Sequence, residues 1–399
     1  MRQILFKIFN INKKYYIIIL IIFFFLIFDN QNNDNSSSYS QFIKNANLNP
    51  VENNKLVLKH NKILYVSRHE GTFANFCYIA KYLGFNATSL IPKYSYGGRP
   101  NCYYKDKCRS FVKVKCSEFD YIIISDVIPD SYIFLINKCN KKIILEITNR
   151  FDWEIQTKAN YYNIFSRAIK KKNIIVIENN PFEVYHACMK NIFIPNYYLI
   201  RPIGYPPNNI LKREHKKYHD IVAIILNHIQ DKNILRVVLK KLNIPFKCLP
   251  KRYGGPLILS TYKAIIFLPY QVSIMKMMEN FRYGVPMVIP SEKLLRKLIK
   301  SNYTFCSTEV FKIPNGSRKY VEFYNDEFRD LFIYFDNFTE IPDIIQNTDF
   351  EALREKEKEF MRNYEKKAIK MWEEVLDIHT KKESLISDKK PLCNNKIFY

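Results

Sequence analysis

The chain has 399 residues, with 62 Lys and Arg against 38 Asp and Glu, a formal net charge of +24. Its 47% hydrophobic and 25% charged residues allow a sizeable core and exclude global disorder, while 9 Gly and 18 Pro exclude collagen-like and Gly/Pro-rich chains. At roughly 100–200 residues per domain, the length suggests two globular domains.

The first element is the uncharged run 15–28, YYIIILIIFFFLIF. As a helix it spans about 21 Å, short of the ~20 residues of an ordinary membrane helix. It ends Ile27-Phe28-Asp29-Asn30, without the small residues of a cleavage site. Lys13 and Lys14 can snorkel, and Tyr15 and Tyr16 suit an interface. The segment therefore reads as a signal-anchor, ahead of a cleaved signal or a buried helix. Arg2, Lys7, Lys13 and Lys14 precede it with no acid. The positive-inside rule then places residues 1–14 in the cytosol and the remainder in the ER or Golgi lumen, a single-pass type II topology. Residues 29–60 are polar and Asn/Ser-rich and read as a stem.

Two features accompany a lumenal body. Asn35, Asn86, Asn302, Asn315 and Asn337 are Asn-x-Ser/Thr glycosylation acceptors. Nine Cys are present, and Cys102, Cys108 and Cys116 cluster without the Cys-x-x-Cys spacing of zinc sites, so one local disulfide is expected there. Residues 29–399 keep a charge of +20. No zinc-finger or RRM signature accompanies it, which argues against nucleic acid. Such a body favours anionic ligands such as nucleotide diphosphates or acidic glycans.

From residue 61 onward, short apolar runs recur at Ile63–Val66, Tyr121–Ile124, Ile143–Ile147, Ile174–Ile177, Ile221–Leu226, Ile265–Leu268 and Met287–Ile289. Continuous β-branched runs are the mark of parallel strands buried on both faces. Helical stretches fall between them at Thr72–Leu83, Ala159–Lys171, Glu183–Lys190, Asn233–Leu242 and Ser273–Tyr283. The alternation predicts an α/β chain of two Rossmann-like doubly wound domains, 61–205 and 206–345, split at the Pro-rich stretch Arg201–Pro207. Residues 346–380 hold a long amphipathic helix, with Leu353, Met361, Tyr364, Ala368, Trp372 and Val375 on one face, read as packing back on the body. A polar tail, 381–399, follows.

In open parallel sheets, ligands bind at the C-terminal strand ends. Those loops hold Ser67-Arg68-His69-Glu70-Gly71-Thr72, Ser125-Asp126, Thr148 to Trp153 with Asp152, Glu178-Asn179-Asn180, and Asn227-His228 followed by Asp231-Lys232. The sharpest stretch is Pro269–Ser291, PYQVSIMKMMENFRYGVPMVIPS: strand end, helix, Gly turn, strand.

That segment resembles the donor-binding segment of two-domain glycosyltransferases of the GT-B fold. In many of them a helix carries a Glu five residues before a Gly, followed by x-Pro and a small apolar strand. Here these are Glu279, Gly284 and Val285-Pro286. The resemblance implies that Glu279 hydrogen-bonds the ribose of a nucleotide-sugar co-substrate. Gln271 stands where many retaining members have a second Glu, and Ser273 opens the helix where a diphosphate can sit. The usual glycines beside it are replaced by Val272-Ser273.

No Asp-x-Asp occurs, so a metal-independent enzyme is expected, with Lys232 and Lys251 or Arg252 opposite the phosphates. Among the cleft loops His69, Asp126 and Asp152 are the acid/base candidates. In an inverting transfer one of them deprotonates the acceptor hydroxyl. In a retaining one the donor phosphate takes that proton and His69 positions the sugar. The expected activity is transfer of a sugar to a hydroxyl of a glycan, protein or lipid. The alternative is a non-catalytic lumenal or secreted carbohydrate- or polyanion-binding protein on the same fold. Walker A, G-x-S-x-G, H-E-x-x-H and G-x-G-x-x-G motifs are absent.

Overall fold

The computed structural model describes residues 61–92, 106–137, 139–155, 158–205 and 220–378. The expected tail, anchor and stem and the polar C-terminal tail lie outside them. Among the described residues no helix is long and apolar enough to cross a membrane.

Two parallel sheets form the body. The first contains β1 (Lys62–Val66), β2 (Asn86–Leu90), β3 (Tyr121–Ser125), β4 (Lys142–Ile147), β5 (Ile174–Glu178) and β6 (Tyr198–Leu199), in the order β2-β1-β3-β4-β5-β6. The second contains β7 (Val222–Ile225), β8 (Phe246–Leu249), β9 (Ile265–Ile266), β10 (Met287–Pro290) and β11 (Phe332–Phe335), in the order β11-β10-β9-β7-β8. Every pairing is parallel. Each sheet starts inside, steps to one edge and returns past its first strand. That reversal creates a topological switch point between β1 and β3, and another between β7 and β9.

The central strands are Ile-rich because helices cover both faces, leaving no solvent side for polar residues. All of Tyr121–Ser125 is buried, as is all of Val222–Ile225. The β9 strand is shorter than the Ile265–Leu268 run, which continues as buried chain whose Phe267 N–H still donates to the Val288 carbonyl of β10 at 3.0 Å.

The helices are α1 (Glu70–Tyr82), α2 (Asp106–Glu118), α3 (Tyr132–Ile136), α4 (Lys158–Ala168), α5 (Pro181–Met189), α6 (Arg236–Lys241) and α7 (Pro256–Leu259). They continue with α8 (Met275–Tyr283), α9 (Glu292–Lys300), α10 (Gly316–Tyr320), α11 (Ile341–Asn347) and α12 (Phe350–Val375). The stretch expected to be helical from Asn233 begins as a wider π turn, Asp231–Leu235, before α6.

The terminal helix α12 starts where the Asp349 carboxylate accepts the Ala352 N–H at 2.9 Å. Its 26 residues rise about 39 Å. Trp372 packs on Phe76 of α1 at 4.9 Å between ring centres, and Phe360 packs on Phe281 of α8. The helix therefore touches the layers of both sheets. Its buried face is less apolar than the pattern implied, because it includes Arg354 and Glu357. Arg354 donates to the carbonyls of Gly284, Tyr262 and Lys263, so a guanidinium with five donors satisfies a set of helix- and loop-end acceptors.

Cys116 of the cysteine cluster is bonded to Cys139, which ties α2 to the β3–β4 crossover, and Cys188 is also disulfide-bonded; the side chains of Cys102 and Cys108, on which the expected local disulfide also falls, lie outside the described residues. Cys77, Cys248 and Cys306 are free thiols.

Candidate functional site

The second sheet builds one half of the site at its switch point. After β7 the chain turns so that the Asp231 carboxylate accepts the N–H groups of Asn227 (3.0 Å) and His228 (2.7 Å). This loop is held against the loop after β9: the His228 ring lies 4.1 Å from the Tyr270 ring, centre to centre. Next comes α8. Its N-cap, Ile274, is extended and offers no side-chain acceptor, so no side chain caps the first-turn N–H groups.

Lys276 and Glu279 follow three residues apart, on one face of α8. The Lys276 ammonium lies 5.0 Å from the centre of the Tyr253 ring. Burial lowers its pKa; Glu279 and Asp231 oppose that fall, and Lys251 reinforces it. The Glu279 carboxyl is pushed up to about 7 by burial, against the pull of Lys276. Burial and the Glu279 charge raise the Tyr253 hydroxyl as well. Among the described residues the Glu279 side chain makes no hydrogen bond, although its environment is largely dry. An uncommitted carboxylate of this kind is an acceptor awaiting hydroxyl donors.

The first sheet builds the other half. The loop after β1 is pinned by its own side chains: the His69 N–H donates to Ser67 Oγ (3.1 Å), and Thr72 Oγ1 donates to the His69 carbonyl (2.8 Å). Arg68 grips Asp130 with two bonds, 2.8 and 3.0 Å, and reaches Glu154 at 3.0 Å. His69 itself is exposed. A methyl at Gly71 would stand 2.8 Å from His69 Cε1 and 3.6 Å from Met275 Cε. The His69 loop is thus set against the first residue of α8, across from the other sheet.

Asp126, just past β3, has φ +65°, a left-handed conformation that Asp tolerates better than most residues. Burial raises its carboxyl pKa, His69 and Arg68 lower it, and Glu154 adds to the rise.

The residues named from sequence therefore divide. His69 and Asp126 face each other electrostatically at the β1–β3 switch point, and Glu279 belongs to the α8 recess. Gln271 lies in the bend between β9 and α8. Ser273 does not present a free hydroxyl to a phosphate: it donates to Glu322, which is itself paired with Arg201 at 2.5 Å. Asp152 is also committed, accepting from Tyr162 at 2.5 Å and lying 2.8 Å from His186 Nε2. Gly284 is a left-handed helix cap with φ +59°. An added Cβ there would meet Lys358 and Arg354 of α12, so the glycine is demanded by packing of the terminal helix. Lys232 and Arg252 are exposed, and among the basic residues of these loops it is Lys251 that acts on Lys276.

Sequence reasoning missed Lys276 and Tyr253. Lys276 was legible, since a spacing of three on a helix places it beside Glu279. Tyr253 was not, because it arrives from the loop after β8. Among the described residues no group of three His, Cys, Asp or Glu side chains is arranged to hold a metal ion.

No protein-family model and no curated protein matches the sequence. Among solved structures the chain is similar to Anabaena Alr3699/HepE in complex with UDP and glucose, with a TM-score of 0.45 and 9% identity over 80% of this chain and 100% of that one. The complex of the same protein with UDP gives 0.45 and 10% over the same shares. Its complex with UDP-glucose gives 0.42 and 11%, over 80% of this chain and 99% of that one.

Proposed function

We propose that the protein is a glycosyltransferase that moves a sugar from a nucleotide-sugar to a hydroxyl acceptor. The observation that carries this reading is the Glu279 carboxylate, which makes no hydrogen bond among the described residues and stands one helical turn from Lys276 beside the open N-terminus of α8. In this reading the ribose hydroxyls donate to Glu279. The diphosphate rests on the first-turn N–H groups of α8, with Lys276 and Lys251 neutralising its charge. The donor sugar projects toward the His69 loop, which already lies against Met275. The acceptor oxygen bonds to the anomeric carbon and the bond from that carbon to the diphosphate breaks. The hydroxyl proton goes to Asp126, whose charge its neighbour His69 influences, and the nucleoside diphosphate leaves. Asp126 is suited to the task because burial lifts its pKa above the usual carboxylate range. The phosphates are met by this chain's own cations and helix end, which is the metal-independent form of the chemistry.

We also propose the lumenal, type II placement, in the ER or Golgi. It is supported by the Cys116–Cys139 disulfide, which suits an oxidising compartment. It is supported too by the exposure of Asn86, Asn302, Asn315 and Asn337, each open to glycan attachment.

The test is a nucleotide-sugar screen on the full-length protein in detergent, reading thermal stabilisation and release of the nucleotide. One donor should stabilise the fold and be turned over, and Glu279→Ala should abolish both while still unfolding in one cooperative transition without donor. Turnover undiminished in that variant would sink the assignment, and a folded protein that responds to no donor would leave the non-catalytic binding reading in its place.

A further inference from the structure

A second concave site lies away from the switch points, beyond the C-terminal ends of β10 and β11. It is an open groove of about 700 Å³, within the size range of small-ligand sites. Six cations line it: Lys293, Arg296, Lys297, Lys300, Arg318 and Arg329. Only two carboxylates stand among them, and both are engaged. Glu292 pairs with Arg296 at 2.5 Å, and Asp336 accepts the Ser291 hydroxyl at 2.5 Å. The remaining five cations have no carboxylate partner among the described residues.

Helix stability does not account for this concentration. Lys297 and Lys300 suit the C-terminal end of α9, but Lys293 sits in its first turn, where a positive charge opposes the helix dipole. Arg318 and Arg329 come from α10 and from a separate turn, Arg329–Leu331, so three chain segments converge on one groove. α9 itself buries Leu294 and Leu295 and turns its lysines outward. Two tyrosines complete the lining, Tyr324 and Tyr334, with ring centres 6.1 Å apart. Their hydroxyls are tied to the carbonyls of Pro290 (3.0 Å) and Phe323 (2.8 Å), which fixes both rings.

We propose that this groove binds an anionic oligosaccharide, a short sugar chain bearing sulfate, phosphate or carboxylate groups. Cations from several directions match several charges on one ligand. The Tyr334 ring, part-exposed above the buried Tyr324 and fixed by its hydroxyl, matches the C–H face of a pyranose ring. The recess admits a few sugar units, whereas a flat bilayer meets only its rim and a nucleic-acid duplex is too wide to enter. The inference does not rest on the donor reading, because binding is measured with no donor present.

The probe is a heparin-derived tetrasaccharide, titrated against the full-length protein in uncharged detergent at several salt concentrations. Wild type should bind with an affinity that falls as salt rises, and a neutral maltotetraose should not bind. The triple variant Lys293→Glu, Lys297→Glu, Lys300→Glu should weaken binding at least tenfold. The control Lys170→Glu, Lys171→Glu, Lys172→Glu carries the same charge change elsewhere and should stay within twofold. Lys297→Ala alone, a mild change on an exposed helix face, should weaken binding in the same direction. Equal loss in the two triple variants would overturn the proposal in favour of net charge. Tighter binding of phosphatidylserine vesicles or of a DNA duplex than of the tetrasaccharide would overturn it as well.

Discussion

Lys276 and Glu279 stand one turn apart on α8, and each is the other's charged neighbour in a recess closed by Tyr253. The pair is uneven. Burial pushes both toward their neutral forms, and the carboxyl arrives at about 7, well above its ordinary 4.5.

A pH dependence follows. Between pH 4.5 and about 7 the folded protein keeps a proton on Glu279 that the unfolded chain releases. The stability this contributes is full below pH 4.5 and is lost as pH rises through 7. Glu279→Gln removes that loss, so in urea melts it should match the wild type at pH 4.5 and exceed it at pH 8 by up to about 3 kcal/mol. Donor affinity should behave oppositely, because ribose hydroxyls need the ionised carboxylate. In the wild type it should climb as pH passes 7, and in Glu279→Gln it should be low and flat. A wild-type donor affinity that does not change across this range would contradict the ribose role.

The strands that sequence analysis did not find are β2, β6, β8 and β11, and they are the four edges of the two sheets. An edge strand has one unpaired side and less cover, so it need not be a continuous apolar run; β11, Phe-Ile-Tyr-Phe, is the one edge to which this does not apply. β2 reads Asn-Ala-Thr-Ser-Leu and none of its residues is buried; β6 has only two residues. The central strands were legible for the converse reason. At the site, placement within a single segment could be read, as with His69 in its loop and Glu279 on its helix. Commitments made by distant residues could not. Ser273 is taken by Glu322, 49 positions away, and Gly284 is packed by Arg354, 70 positions away.

The Ser273 hydroxyl belongs to a buried network instead. Arg201, just after β6, pairs with Glu322 at 2.5 Å and with Glu327 at 3.1 Å, and its N–H donates to the Tyr364 hydroxyl of α12. The network joins the end of the first sheet, a loop of the second and the terminal helix. Glu322→Ala leaves the Arg201 charge buried with only the more exposed Glu327 beside it, and should cost about 3–5 kcal/mol in urea denaturation. Ser273→Ala removes one donor to the charged Glu322 carboxylate and should cost about 1.5–3 kcal/mol. Its donor KM should remain at the wild-type value; a rise of tenfold or more would restore Ser273 to the phosphate site.

Asp126 and His69 can be separated by their effects on pH profiles. Asp126 holds a left-handed backbone at φ +65°, a conformation that functional sites retain when surrounding structure enforces it. Asn tolerates the same backbone, so Asp126→Asn should fold normally while losing the proton acceptor. If Asp126 takes the acceptor proton, kcat should fall by about 10²–10⁴ with donor KM nearly unchanged. The rising acid limb of the wild-type profile should lie above the usual carboxylate range, since burial raises this group, and should vanish in the variant. His69→Gln removes a neighbour that favours the ionised form of Asp126, so in that variant the limb should persist and move to higher pH. Loss of the limb in His69→Gln with its survival in Asp126→Asn would exchange the two roles. Glu154 is a second charged neighbour of Asp126 and raises its pKa, so Glu154→Gln should move the limb the opposite way, to lower pH. Opposite displacements by His69 and Glu154 are what direct proton transfer to Asp126 requires, and a purely structural Asp126 would produce neither.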